Sequence, residues 1–180
     1  KVFDNSLFKL RRLQNEIGQK VFTSVIQPKV LEKDLMRCDV AIGALSAPQG
    51  RTPCIVSENV VKKMKSGSVI VDVSIDKGGC FETSKITTHQ KPTFTKHDII
   101  HYCVPNIGSR VSRTASFSLS NIFSPLLIEI SESGGCEKLI QFSKGFRHGV
   151  YIYNGTLTSS ILGKAFNIPY KNLDLLISAL

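Results

Sequence analysis

Short apolar runs alternate with segments of helical periodicity along the first 104 residues of the chain. The apolar runs lie at 21–23, 39–42, 69–73 and 99–104, and the third is almost continuously aliphatic. Strands buried on both faces are typical of parallel sheets, and strands that alternate with helices are typical of an α/β fold. The sequence therefore predicts a doubly wound parallel sheet.

The composition excludes several other classes of protein. The 180 residues are 42% hydrophobic and contain no apolar run of transmembrane length, so we expect no membrane partner. Five widely spaced cysteines predict neither a disulfide framework nor a metal site, and they indicate reduced thiols in the cytoplasm. The net charge of +9 is not gathered into a basic tract, which argues against a nucleic-acid partner.

Acidic residues and glycines follow two of the predicted strands, at the carboxyl edge where doubly wound sheets bind ligands. Asp4 follows a first apolar segment, and Asp76 precedes a glycine pair at 78–79. An acid at such a strand tip can bind ribose hydroxyls and would repel the 2′-phosphate of NADP. A carboxylate at the position of Asp76 could orient a substrate or join a proton relay. Asp4 can also be explained as a turn or helix-start residue, and Asp76 as support for a tight turn, so these explanations remain open.

The glycine-rich phosphate loop of a dinucleotide-binding unit has no counterpart in this sequence. Such a loop stands about 20 residues before the acidic strand tip, but only three residues precede Asp4 and no GxGxxG occurs. The strand before that loop lies at the centre of the doubly wound order. We therefore expect a gap in the sheet, which either a preceding segment of a longer polypeptide or another element fills.

His101 and Tyr102 lie on opposite faces of the predicted strand at 99–104. A single histidine in a buried strand is more often a hydrogen-bonded core residue than a catalyst. We therefore expect His101 to have a structural role.

Three motifs carry a resemblance to a known family. They are GSVIVDVSIDKGGC at 67–80, TTH at 87–89 and HYCVPN at 101–106. Together they resemble alanine dehydrogenase and its relative, the NAD-binding subunit of proton-translocating transhydrogenase. The similarity runs through the whole chain, but it covers only the later half of a family member, from the strand after the glycine-rich loop onward.

The resemblance implies reversible, NAD-dependent oxidative deamination of L-alanine to pyruvate and ammonium by a homo-oligomer, typically a hexamer. It implies a Rossmann-like NAD-binding domain at 1–112 that lacks its first strand, and a helical segment at 113–180 that belongs to the substrate domain. The other catalytic groups of the family, an Arg, a Lys and a His, would lie in the missing N-terminal half. We expect the 180 residues alone to be inactive.

The resemblance also implies the roles of individual residues. Asp76 is expected to be the catalytic carboxylate, and Asp4 to bind the adenosine ribose with Lys9 nearby. The other expected cofactor-binding residues are Leu45, Ser46, Val73, Ser74, Ile75, Lys85, Val104, Pro105, Asn106 and Ile107, with Asp76 itself among them. Two positions depart from the family pattern: Lys77 stands where Gln is frequent, and Ile26 replaces a hydroxyl residue near the adenine.

Two other functions remain open at this stage. A transhydrogenase subunit would pass hydride between two nucleotides, but Ile75 and Asp76 before the glycine pair favour the dehydrogenase, because the relative tends to carry an amide-rich loop there. A non-catalytic nucleotide-binding fragment is the third possibility, and the absence of the glycine-rich loop supports it.

Overall fold

The computed structural model describes residues 1–46 and 50–178 of the chain. These residues fall into two compact units. The first comprises the described residues of 1–47 and 51–105, and the second those of 48–50 and 106–180.

The first unit alternates strands and helices in the predicted order. Its elements are β1 (Val2–Phe3), α1 (Leu7–Glu16), β2 (Thr23–Ser24), α2 (Pro28–Leu35), β3 (Val40–Gly43), α3 (Glu58–Val61), β4 (Val69–Asp72), a 3-10 turn (Val73–Lys77), β5 (Thr93–Lys96) and β6 (Ile99–Tyr102). The α/β fold class predicted from the sequence is confirmed.

The main sheet has four strands in the order β3-β4-β6-β5. Strands β3, β4 and β6 are parallel, as predicted, whereas β5 pairs with β6 in the antiparallel direction. The antiparallel pairing follows from the turn at His97 and Asp98, which both adopt left-handed backbone conformations with φ of 56° and 59°. A two-residue turn of this kind joins strands only as a hairpin.

The gap that the sequence predicts in the sheet is confirmed. Strands β1 and β2 form a separate parallel pair, and in the described part of the chain this pair shares no ladder with the four-stranded sheet. Strand β3 is paired with β4 along one edge only, and the Ile42 side chain on it is 68% exposed.

The core of the first unit packs beside the four-stranded sheet. Aliphatic side chains from β3, β4 and β6 meet those of α2, α3 and the segment after the 3-10 turn, since parallel strands need cover from crossover helices. The cluster consists of Leu35, Ala41, Val56, Val61, Met64, Ile70, Cys80, Phe81 and Ile99.

The second unit is mainly helical. It contains a 3-10 turn (Ile107–Val111), α4 (Ser112–Glu132), α5 (Cys136–Phe142), α6 (Lys144–His148), the antiparallel pair β7 (Ile152–Tyr153) and β8 (Thr156–Leu157), α7 (Ser160–Phe166) and α8 (Leu173–Ser178). Helix α4 is the longest helix among the described residues. Within the described residues, α4 has no buried side chain, and none of the helices is long and apolar enough to cross a bilayer.

Candidate functional site

A cleft of about 650 Å³ lies beside the free edge of β3. Residues 1–4 line one side of it, and residues 40–45 line the other. Its volume is in the range of small-molecule and cofactor sites. Asp4 and Leu45, which the sequence predicts to bind the cofactor, therefore face the same cleft.

Asp4 also makes the turn contact that the sequence left open as its alternative role. Its carboxylate Oδ1 accepts a hydrogen bond from the Ser6 backbone N–H at 2.7 Å. The Ser6 hydroxyl in turn caps α1 by accepting from Lys9 N at 3.4 Å. The Lys9 side chain is exposed and does not line the cleft. Asp4 is thus held in a defined orientation by the start of α1.

The segment after β4 is a 3-10 turn and not a continuation of the strand to Val73. Ser74 and Ile75 are buried in it, whereas Asp76 is exposed. The Ser74 hydroxyl accepts a hydrogen bond from Leu45 N at 2.8 Å. The structure therefore brings together two predicted cofactor-binding segments, 45–46 after β3 and 73–76 after β4.

Asp72 is a buried carboxyl group that the sequence reasoning missed. It is only 2% exposed, and its oxygens accept hydrogen bonds from Ser74 N, Cys80 N and the Ser84 hydroxyl at 3.0, 2.9 and 2.7 Å. The signal in the sequence was an acidic residue at the end of an aliphatic run. A carboxylate buried at such a position needs hydrogen-bond donors around it, because an unpaired buried charge is costly. These hydrogen bonds hold together the loop that contains Asp76.

Glycines make room around this carboxyl group. A Cβ on Gly79 would lie 2.7 Å from Asp72 Oδ2, and a Cβ on Gly43 would collide with Cys80 Sγ. Gly78 and Gly79 adopt left-handed conformations with φ of 104° and 79°. The pair therefore allows a left-handed turn and, at Gly79, a close approach of the backbone to Asp72.

Burial disfavours the thiolate form of the Cys80 and Cys103 thiols. Burial, reinforced by the negative charge of Asp72, raises the pKa of the Cys80 thiol to about 12. Burial also raises the pKa of Cys103. All five cysteines are described, and each is a free thiol. The described residues contain no group of three or more His, Cys, Asp or Glu that could hold a metal ion.

His101 is a core residue, as predicted. It is fully buried and stacks on Phe94. Its Nδ1 donates to the Ile99 carbonyl at 3.0 Å, since a carbonyl can only accept, and its Nε2 therefore accepts from the Thr83 hydroxyl at 2.8 Å. Burial lowers the pKa of His101.

The other residues predicted to bind the cofactor are spread over both units. Val104 is buried and Pro105 half-buried at the end of the first unit, while Lys85 is exposed and does not line the cleft. Asn106 and Ile107 belong to the second unit. Ser46 is exposed beside Leu45. The roles predicted for these residues stay predictions.

Comparison with known proteins gives a consistent result. The family model "Alanine dehydrogenase/PNT, C-terminal domain" matches residues 1–160. An alanine dehydrogenase of Mycolicibacterium smegmatis is 36% identical over 171 residues, which cover 95% of this chain and 46% of that protein. An alanine dehydrogenase of Lysinibacillus sphaericus is 35% identical over 177 residues, covering 98% of this chain and 47% of that protein.

Solved structures agree with the sequence matches. An L-alanine dehydrogenase superposes with a TM-score of 0.82 at 30% identity, over 92% of this chain and 45% of that one. A transhydrogenase from Sinorhizobium meliloti superposes with a TM-score of 0.64 at 16% identity, over 88% and 41%, which is a likeness of fold alone. The chain spans about half the length of the curated relatives it matches.

Proposed function

The chain belongs to the alanine dehydrogenase/PNT C-terminal domain family, and we propose that it is the cofactor-binding half of an NAD-dependent L-alanine dehydrogenase. The balanced reaction converts L-alanine, NAD⁺ and water into pyruvate, ammonium, NADH and a proton. The observation that carries the proposal is the hydrogen bond from Leu45 N to Ser74 Oγ, which joins the ends of β3 and β4 at the edge where such sheets bind dinucleotides.

The residues of the cleft are compatible with a nicotinamide cofactor. The cleft has a volume suited to a small molecule or cofactor, and the Asp4 carboxylate is part of its lining. When bound, NAD supplies the hydride acceptor. We propose that Asp4 binds the adenosine ribose and that its charge disfavours the 2′-phosphate of NADP. Lys9, Ser46, Lys85 and the segment from Val104 to Ile107 are proposed to complete the contacts.

Asp76 is the proposed catalytic carboxylate. It is exposed at the end of the loop that Asp72 closes, so it can contact a substrate from solvent. A carboxylate in this position can take up a proton from the substrate amine or from the water that hydrolyses the imine. Deprotonation of the amine makes the Cα a better hydride donor, and this is the contribution expected of the chain itself.

We propose that a second half of the same polypeptide supplies the substrate domain and the strand that fills the gap beside β3. The exposed edge of β3 supports the second part of this proposal. Residues 113–180 are proposed to pack on that substrate domain. Six large apolar side chains exposed on α4 support this, because a stable protein rarely leaves such a surface uncovered: Phe117, Leu119, Ile122, Phe123, Leu127 and Ile128. A cytoplasmic homo-oligomer, typically a hexamer, completes the proposal.

An assay of the full-length protein tests this function. We expect NADH to form from NAD only when L-alanine is present, and we expect pyruvate to appear in equal amount. A matched reaction without the amino acid, but with a second oxidised nucleotide and NADH, measures transhydrogenase activity. Hydride transfer between the nucleotides with no oxidation of alanine would contradict the proposal and favour the transhydrogenase. The 180 residues alone are expected to be inactive in both assays.

A further inference from the structure

The carboxyl group of Asp72 is the centre of a buried hydrogen-bond network. Asp72 is the last residue of β4, and its donors all come from the loop that follows. Oδ1 accepts from Ser74 N at 3.0 Å, and Oδ2 accepts from Cys80 N at 2.9 Å and from Ser84 Oγ at 2.7 Å. One side chain thus fixes the beginning, the middle and the end of the loop at 73–84.

The network continues from the loop to the neighbouring strand. The hydroxyl of Ser74, whose backbone N–H is held by Asp72, accepts from Leu45 N at 2.8 Å. Leu45 follows β3 and lines the cleft. Asp72 is therefore connected to the cleft through a single intervening residue.

The backbone packs closely around the carboxyl group of Asp72. A Cβ on Gly79 would lie 2.7 Å from Oδ2 of Asp72, and a Cβ on Gly43 would lie 3.3 Å from Oδ1. Backbone N–H groups can only donate, so a good acceptor is needed at both oxygens. An aspartate meets this requirement, and an asparagine would place a donor against a donor on one side.

We infer that Asp72 is a positioning residue of the cofactor site, whose carboxyl group fixes the loop that contains Asp76 and, through Ser74, fixes Leu45 against the cleft. The inference rests on the proposed function, because it assumes that the cleft binds a nicotinamide nucleotide. It goes beyond that function in assigning the preformed shape of the site to one buried group that faces neither substrate nor cofactor. Binding to a site held in shape costs less ordering entropy than binding to a mobile loop.

The test compares two buried hydroxyls of the same loop in the full-length protein. Ser74→Ala removes the acceptor for Leu45 N, whereas Thr83→Val removes the bond to His101, which is directed into the core and away from the cleft. Ser74 and Thr83 are 6% and 1% exposed, so both substitutions should lower the unfolding temperature by a similar amount. The dissociation constant of NADH, measured by fluorescence titration, should rise about threefold to tenfold in Ser74→Ala and stay unchanged in Thr83→Val.

Asp72→Asn should have the larger effect. We expect the NADH dissociation constant and the KM for NAD to rise at least about tenfold, the scale of a lost hydrogen bond to a charged group. If Asp72→Asn does not fold, the test is the comparison of the NADH dissociation constants of Ser74→Ala and Thr83→Val. Equal NADH affinity in wild type, Ser74→Ala and a folded Asp72→Asn would overturn the inference.

The same measurements separate this inference from the proposed function. A wild-type protein that binds NADH but does not oxidise alanine would contradict the proposed activity. The NADH affinities of the variants would still test the positioning role of Asp72. A full-length protein that binds no nicotinamide nucleotide would overturn both.

Discussion

The two sides of the cleft are built very differently. On the side of β3, four-residue strands carry a continuous core, and the loops at their ends are tied together through Asp72 and Ser74. On the side of β1, two strands of two residues are joined by backbone hydrogen bonds, and the side chains of Phe8 and Phe22 are 74% and 70% exposed. The β3 side is therefore held in shape by its own residues, whereas the β1 side carries one acid, Asp4, which the Ser6 N–H orients, with little packing behind it.

This difference suggests a division of roles between the two sides. The β3 side is suited to hold reacting groups, because chemistry requires positions fixed to within fractions of an ångström. The β1 side is suited to select the cofactor, since one charge at a strand tip distinguishes a hydroxyl from a phosphate. Substitutions on the two sides should therefore change different kinetic quantities.

The largest effect is expected for Asp76→Asn on the β3 side. The amide cannot take up a proton, so kcat of the full-length protein should fall at least roughly 100-fold, the usual scale of a positioned acid–base group. Steady-state rates at saturating NAD and L-alanine measure this. Asp39→Asn, which changes an exposed carboxylate paired with Lys65, is the matched control and should leave kcat unchanged. A well-folded Asp76→Asn with normal turnover would remove Asp76 from the mechanism.

The next effect is expected at Asp4, on the β1 side. Asp4→Ala should reduce the preference for NAD over NADP, measured as the ratio of kcat/KM values, by about tenfold. It also removes the acceptor for Ser6 N, so a second variant is needed.

Asp4→Asn keeps that acceptor and removes only the charge, and it should lower the same ratio without loss of stability. If the ratio is unchanged in Asp4→Asn, the charge of Asp4 does not select the cofactor. The division of roles between the two sides of the cleft would then be wrong.

A smaller effect, on stability alone, is expected for His101→Gln in the core behind the β3 side. Losing one of the two hydrogen bonds of the ring should lower the free energy of unfolding by about 1–3 kcal/mol, with no change in NADH affinity. Urea unfolding measures the first quantity and fluorescence titration the second. A marked loss of NADH affinity in His101→Gln would show that a change in the core also alters the loop at 73–84.

The pH dependence of this residue has a defined sign. Burial lowers the pKa of His101 in the folded protein, so the unfolded chain takes up the proton first. The stabilisation is complete above the unfolded value of about 6.5 and is lost as the pH falls below it. The difference in unfolding free energy between wild type and His101→Gln should therefore narrow in acid.

The smallest effect is expected at Glu58, on the outer surface of the β3 side. Its carboxylate accepts from His97 at 2.6 Å and pairs with Lys96, and these contacts lower its pKa to about 2. Because the folded pKa is lowered, the contribution of Glu58 to stability is present above the ordinary pKa of 4.5 and is lost as the pH falls toward 2. Glu58→Gln should make the melting temperature less dependent on pH in that interval. An identical acid profile in the variant would show that this surface cluster does not brace the β3 side.

The elements with strong local patterns could be predicted from the sequence. Strand β4 was expected, because its aliphatic run is almost continuous. The end of β4 was expected one residue too late, at Val73. The reason is the side chain of Asp72, which binds Ser74 N and turns the chain into a 3-10 helix.

The site could be predicted only in part. Asp4, Leu45 and Ser74 were named through the family resemblance, and the structure brings Leu45 to both of the others. The network of Asp72 could not be derived, because its partners lie two to twelve residues further along the chain and meet only after folding. The local sequence shows an acidic residue at the end of an aliphatic run, but it does not show which groups that residue binds.

The five free thiols have a practical consequence for measuring motion. Cys54 is exposed in the first unit and Cys136 in the second, whereas Cys80 and Cys103 are buried and burial raises their pKa values. Alkylating reagents act on the thiolate of accessible cysteines. With the half-buried Cys38 replaced by serine, a donor and an acceptor dye attached to the two exposed positions would measure the distance between the units by fluorescence transfer, and would show whether that distance responds to nucleotide.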